Sequence, residues 1–114
     1  MAVTIYVRGA ELSAFNFESI TVAGTSIGFT AATITPAAGS FGPAQRATVT
    51  VETAQIRYTI DGTVPTATKG HILNAGDVLV LEGIANIAAA RFIRTGGSSG
   101  TIMCTYERIY NTSA

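Results

Sequence analysis

The run Thr48-Val49-Thr50-Val51-Glu52 alternates strictly, with Val49 and Val51 on one side and Thr48, Thr50 and Glu52 on the other. That period of two belongs to a strand with one buried face and not to a helix, whose apolar stripe recurs every three to four residues. The pattern returns along the chain. Ile56, Tyr58 and Ile60 oppose Arg57 and Thr59, and Ile102, Cys104 and Tyr106 oppose Met103, Thr105 and Glu107. Asp77-Val78-Leu79-Val80-Leu81-Glu82 is apolar on both sides, which predicts a central strand covered on both faces. Composition agrees: there are seventeen Thr and only four Leu, Leu12, Leu73, Leu79 and Leu81. β-branched side chains fit a pleated surface and lose rotamer freedom in a helix. Strands are expected at about 2–8, 17–23, 27–34, 46–52, 55–60, 77–82, 88–95 and 101–107. About eight short strands at this spacing predict an all-β chain, an antiparallel β-sandwich of jelly-roll or immunoglobulin-like type.

The punctuation fits that outline. Ala23-Gly24-Thr25-Ser26 separates two runs at hairpin distance, and Thr35 to Pro43 is a loop with two prolines and two glycines. Asp61, Gly62 and Pro65 break the chain after Ile60, and Gly76-Asp77 closes a tight turn that launches the strand behind it. Gly96-Gly97-Ser98-Ser99-Gly100 reads as a short hairpin loop within a single domain of residues 1–114. Gly9 to Phe17 is open between a helical turn and an irregular connection. Ile84-Ala85-Asn86 is expected to be a turn leading into the strand at 88–95, although the Ala-rich stretch to Ala90 also suits a short helix. The segment Ala2 to Arg8 pairs within the sheet or extends as an arm.

Charge excludes several classes. Seven Lys and Arg balance seven Asp and Glu, and only 12% of the residues are charged, about half the usual share. A disordered tail needs low hydrophobicity and high net charge, whereas 47% of this chain is hydrophobic. A nucleic-acid binder needs a basic footprint. The single cysteine, Cys104, excludes a disulfide framework and fits synthesis in a reducing cytoplasm. The most apolar window, Ile84 to Ile93, contains Asn86 and Arg91 and is too short to span a bilayer, so no membrane association is expected. The start lacks a basic region of signal-peptide type, and the chain reads as an unprocessed product. An uncharged, apolar small domain risks precipitation unless part of its surface is covered, and homo-oligomerisation or a host assembly would cover it.

No catalytic constellation emerges, so no enzyme, cofactor or metal is expected. His71 is the only histidine, and Cys104 alternates with large apolar residues and reads as a small buried hydrophobe. Gly70 to Gly83 resembles the first half of a cupin motif, with a histidine before a Gly-Asp turn and an apolar strand. The cupin metal requires further histidines that this chain does not have. Asp61 and Asp77 sit in turns, where carboxylates accept local backbone N–H groups. Six of the seven cations are Arg. Arg57, Arg91, Arg94 and Arg108 are candidate interface residues, because the planar guanidinium binds carboxylates and stacks on rings.

Two resemblances add to this. Arg57-Tyr58-Thr59-Ile60-Asp61-Gly62-Thr63-Val64-Pro65-Thr66 resembles the Tyr-Thr-x-Asp-Gly-(Ser/Thr)-x-Pro-Thr signature of the small β-sandwich at the C-terminus of chitobiases and related glycosidases. A longer block, from about Val49 to Arg108, is similar to small proteins of unassigned function among the virion genes of tailed bacteriophages. It carries the Ile-Asp-Gly-Thr-x-Pro-Thr turn, Gly70-His71-x-Leu73, Gly76-Asp77-x-Leu79-x-Leu81, Phe92-Ile93-Arg94 and a closing Thr-Tyr strand. The second resemblance implies a structural protein of a phage particle, made in the bacterial host cytoplasm and residing in the virion. The expectation is a capsid decoration, or cement, protein that binds between major capsid protein subunits, as a trimer if it follows the threefold sites of an icosahedral shell. A tail, neck or fibre component of the same fold is the alternative within that class. The first resemblance offers a carbohydrate-binding module instead, for which Tyr6 and Tyr110 are the candidate ring platforms and also candidate interface residues.

Overall fold

In the computed structural model, residues 12–35 and 42–109 are described. The strand expected at 2–8, and with it Tyr6 and Tyr110, lies outside them. The order of elements is β1 (Leu12–Val22), α1 (Ala31–Ile34), β2 (Arg46–Glu52), β3 (Ile56–Thr59), β4 (His71–Leu73), β5 (Val78–Glu82), α2 (Ile84–Ala89), β6 (Arg91–Arg94) and β7 (Gly100–Ile109). The fold is all-β. One antiparallel sheet has the order β1-β7-β2-β5 and the other the order β4-β3-β6, and they face each other as a sandwich.

The core lies between the sheets and follows the alternation. Ala47, Val49 and Val51 of β2 and Ile102, Cys104 and Tyr106 of β7 are all essentially without solvent contact. Opposite them are Ile56, Leu73 and Phe92 from the smaller sheet, with Ile34, Ala44, Ile87 and Ala90 closing the sides. Full burial of one side chain such as Phe92 contributes about 1.5–3 kcal/mol. Phe29 stands edge-on to both Phe92 and Tyr106, with centroids 5.3 and 5.5 Å apart, in the T-shaped geometry favoured by ring quadrupoles.

Several expectations require correction. β1 starts at Leu12, so most of the open segment Gly9–Phe17 is strand, with a register shift between Ala14 and Asn16. The strand expected at 27–34 is reduced to one bridge, Ile27 with Phe92, followed by the helical turn α1. The strand expected at 88–95 shrinks to Arg91–Arg94, because Ile84–Ala89 forms a helix that buries Ile87. Its Ala-rich sequence costs little side-chain entropy when coiled. His71–Leu73 is an additional short strand, paired with β3. Neither the Asn74–Asp77 turn nor the Gly-Ser segment joins neighbouring strands of one sheet, since each passes from the smaller sheet to the larger. Gly100 shows why glycine is needed at that crossing: a Cβ there would lie 2.7 Å from Ile56 Cγ2 and 2.9 Å from the Ala54 carbonyl oxygen. A further crossing, β2 to β3, places Thr53 at φ 81°, an uncommon conformation for a β-branched residue.

The largest correction concerns β5. Among the described residues it is an edge strand bonded only to β2, and its apolar residues do not all lie inside. Leu81 is buried, while Val78 and Val80 are 58% and 50% exposed.

Candidate functional site

The register of the larger sheet defines the rows on its outer face. Val80 pairs with Thr48, Thr48 with Thr105, and Thr105 with Phe17; the next row is Val78, Thr50, Met103 and Ser19. These two rows span all four strands and contain no ionisable side chain. Phe17 is 56% exposed and stands on the strand farthest from Val78 and Val80. Charge appears only at the ends. Glu52 stands at one, and Glu82, Arg46 and Glu107 form a row at the other. Arg46 Nε donates to Glu107 Oε1 in an ion pair, and that bond holds the guanidinium more firmly charged than usual. The sheet therefore presents an apolar and hydroxyl-bearing face framed by charge.

Its inner face is packed, and its polar groups bond one another. The Tyr106 hydroxyl donates to the Glu18 carboxylate, which also accepts the Thr30 hydroxyl at 2.6 Å and the Thr30 N–H at 3.1 Å. Burial and the Glu18 contact push the Tyr106 hydroxyl well above its ordinary range. Burial raises the Cys104 thiol to about 12, which removes it as a nucleophile near neutrality. No buried side-chain donor or acceptor among the described residues lacks a partner.

The motif Arg57–Thr66 folds into a self-supporting turn. Asp61 Oδ1 accepts the Thr63 N–H at 3.0 Å. That bond, seconded by the Thr63 hydroxyl, holds the Asp61 carboxyl below its ordinary range. Gly62 takes φ +88° and Pro65 is fully buried. Arg57 donates from Nε to the Ala67 carbonyl at 3.0 Å and from Nη1 to the Gly70 carbonyl at 2.7 Å, clamping the return of the chain to β4. At the second turn Gly76 takes φ +97°, and Asp77 Oδ2 accepts the Asn74 N–H at 2.7 Å.

The four candidate arginines do not form one patch. Arg57 and Arg91 leave the outer face of the smaller sheet, Arg94 lies at its inner margin, and Arg108 is near the end of β7. Three of them contact their own chain: Arg57 as above, Arg94 through Ser99 Oγ at 3.4 Å, and Arg108 through the Gly42 carbonyl at 3.3 Å and the Phe15 ring at 4.2 Å. Arg91 is exposed, with no such bond to the described residues. Arg46, Phe17, Val78, Val80 and Met103 were not singled out from sequence. For the two valines the signal was a run apolar on both sides, which reads as a strand covered on both faces.

An open pocket of about 460 Å³ is lined by Thr59, Ile60, Asp61, Thr63, Gly70 and His71. Tyr58 tilts against the His71 ring at 5.3 Å. The pocket offers one carboxylate, already bonded to Thr63, and one exposed imidazole. His71 is on the smaller sheet and Cys104 is inside the core, so the two do not meet. No group of three His, Cys, Asp or Glu side chains assembles among the described residues, and no helix among them is long and apolar enough to cross a membrane. Comparison of the chain with protein-family models, curated proteins and solved structures finds no match.

Proposed function

We propose that the chain is a non-enzymatic structural protein of a phage particle, a capsid decoration protein seated between major capsid protein subunits. The observation that carries this is the outer face of the four-stranded sheet. Its two central rows, Val80, Thr48, Thr105 and Phe17 and then Val78, Thr50, Met103 and Ser19, cross the four strands without a charge. Apolar surface rimmed by polar groups marks an association site, and depletion of charge at the centre of the patch is the compositional signature of a protein–protein interface. The resemblance of Val49–Arg108 to small phage virion proteins supplies the partner. Repeated over a symmetric shell, modest contacts become firm retention.

The test is addition of the purified protein to expanded heads that lack it. Saturable uptake is expected, and Phe17→Glu, at an exposed position, weakens it at least about ten-fold, equivalent to about 1.4 kcal/mol. Uptake by isolated tails but not heads would move the protein to the tail. Retention on a polysaccharide gel with no uptake by either would overturn the structural role in favour of a carbohydrate-binding module.

A further inference from the structure

Among the described residues the two sheets have four edges, of which one is covered by the chain itself and one is three residues long. β1 is longer, carries a register shift between Ala14 and Asn16, and has its Phe17 N–H taken up by Asn16 Oδ1 at 2.9 Å. The edge of β6 is occupied by residues 23–27: the Ile27 and Phe92 backbones exchange bonds of 2.9 and 2.8 Å, and the Arg94 N–H reaches the Ala23 carbonyl at 3.0 Å. β4 is three residues long. β5 offers a regular edge, Val78–Glu82, with neither proline nor lysine inside it and with the exposed Val78 and Val80 along it. Proline and lysine are among the residues that blunt such edges in natural proteins.

The direction of its backbone groups follows from the ladder. The Val51 N–H bonds the Asp77 carbonyl at 3.1 Å, the Gly76 N–H bonds the Val51 carbonyl at 2.7 Å, and the Gly83 N–H bonds the Gln45 carbonyl at 2.7 Å. Bonded residues alternate in an antiparallel pair, so Leu79 and Leu81 face β2, while Val78, Val80 and Glu82 turn N–H and C=O outward. Among the described residues nothing receives them.

We infer that β5 pairs antiparallel with β5 of a second copy of this chain, with Val78 opposite Val80 of the second copy and Leu79 opposite its counterpart on the twofold axis. This register uses only outward-facing backbone groups, since both members of each Val78–Val80 pair present N–H and C=O to the partner. It sets valine against valine on the exposed face, a favourable cross-strand pair. It also keeps Glu82 away from valine and from Glu82 of the second copy. Shifting the partner by two residues, so that Val80 meets Val80, would place Glu82 against Val78. The pair closes as a twofold dimer, replacing the threefold expectation, and joins two four-stranded sheets into one continuous sheet. The inference goes beyond the phage assignment and does not depend on it, because it stands on the backbone edge and not on Phe17.

Sedimentation of the full chain over a micromolar-to-millimolar series tests it. Reversible dimerisation is expected. Val80→Pro removes only an outward N–H, at an edge position where proline is tolerated. It should leave the circular dichroism and melting curve in place while raising the dissociation constant at least about ten-fold. Val80→Lys, which leaves the backbone unaltered, should do the same. A wild-type chain that stays monomeric at millimolar concentration, or variants that associate like wild type, would overturn the inference. For the register, an equimolar mixture of Val78→Cys and Val80→Cys chains should form an intermolecular disulfide, since bonded pairs hold their Cα atoms about 5.5 Å apart. Cys104 is buried and does not compete. Cross-linking of Val80→Cys alone, at the rate of the mixture, would overturn this register.

Discussion

β2 and β5 are neighbours in one ladder, yet their sequences relate differently to their surroundings. In β2 the alternation and the environment coincide, with Ala47, Val49 and Val51 inside and Thr48, Thr50 and Glu52 outside. In β5 both sides are apolar, but only Leu79 and Leu81 are directed at the core, and Val78 and Val80 stand in the open. A strand apolar on two faces requires two covers, and this fold supplies one. The difference separates residues that hold the domain together from residues available to a partner, and each half of that separation can be tested by mutation.

The largest effect is expected inside. Ile102→Ala removes a buried side chain that sits between Ile20 and Val51 in the register. It should destabilise the protein by about 2–5 kcal/mol, read as a lower urea midpoint with an unchanged slope. A loss below 1 kcal/mol, roughly the surface range, would mean that the inner face is not the packed face.

The next effect is alkaline. Cys104 has an ordinary thiol value of 9.0 in the unfolded chain and is raised by burial to about 12 in the fold. Its contribution is therefore fully present below pH 9.0 and lost as pH rises toward about 12. The slope for one such group is at most about 1.4 kcal/mol per pH unit. Tyr106, also raised, acts in the same direction. Melting temperature measured across this window should fall, and Cys104→Ala should make the fall shallower. An unchanged slope in that variant would show that the thiol opposite Val49 is not sealed from water.

The smallest effect on stability, and the sharpest contrast, is on the outer face of β5. Val80→Ser should change the unfolding free energy by no more than about 0.5 kcal/mol, while weakening self-association in the same sedimentation assay. A destabilisation matching that of Ile102→Ala would erase the distinction between the two faces.

How far sequence carried the fold can be followed residue by residue. Val49, Val51, Ile102, Cys104 and Tyr106 were placed inside by period two alone, because a strand side chain has only two directions available. Asp61 and Asp77 were placed in turns, since a short carboxylate reaches backbone N–H groups two or three residues away, and both do so. Other features escaped for equally local reasons. Ile84–Ala89 balances weak helix and strand preferences, and packing of Ile87 into the core tips it to helix. His71–Leu73 is too short to show a period. Arg57 looked like a surface cation because its acceptors, the Ala67 and Gly70 carbonyls, become available only when the loop folds back.

The chain by itself determined that it would be all-β, that the alternating residues of β2 and β7 would be dry, and that Asp61 and Asp77 would stand in turns, whereas Ile60 lies past the end of β3 and is exposed. These are consequences of nearest-neighbour sterics and of the twofold pleat, which act over a few residues. Only the tertiary structure decided which strand lies at an edge, which sheet each strand joins, and whether an apolar face finds cover. Those outcomes depend on partners many residues away: among the described residues β2 is bordered by β7 and β5, whereas β5 has β2 alone. The same Val-Leu-Val-Leu run would be core in a sheet covered on both faces; here Leu81 meets the core and Val78 and Val80 are surface.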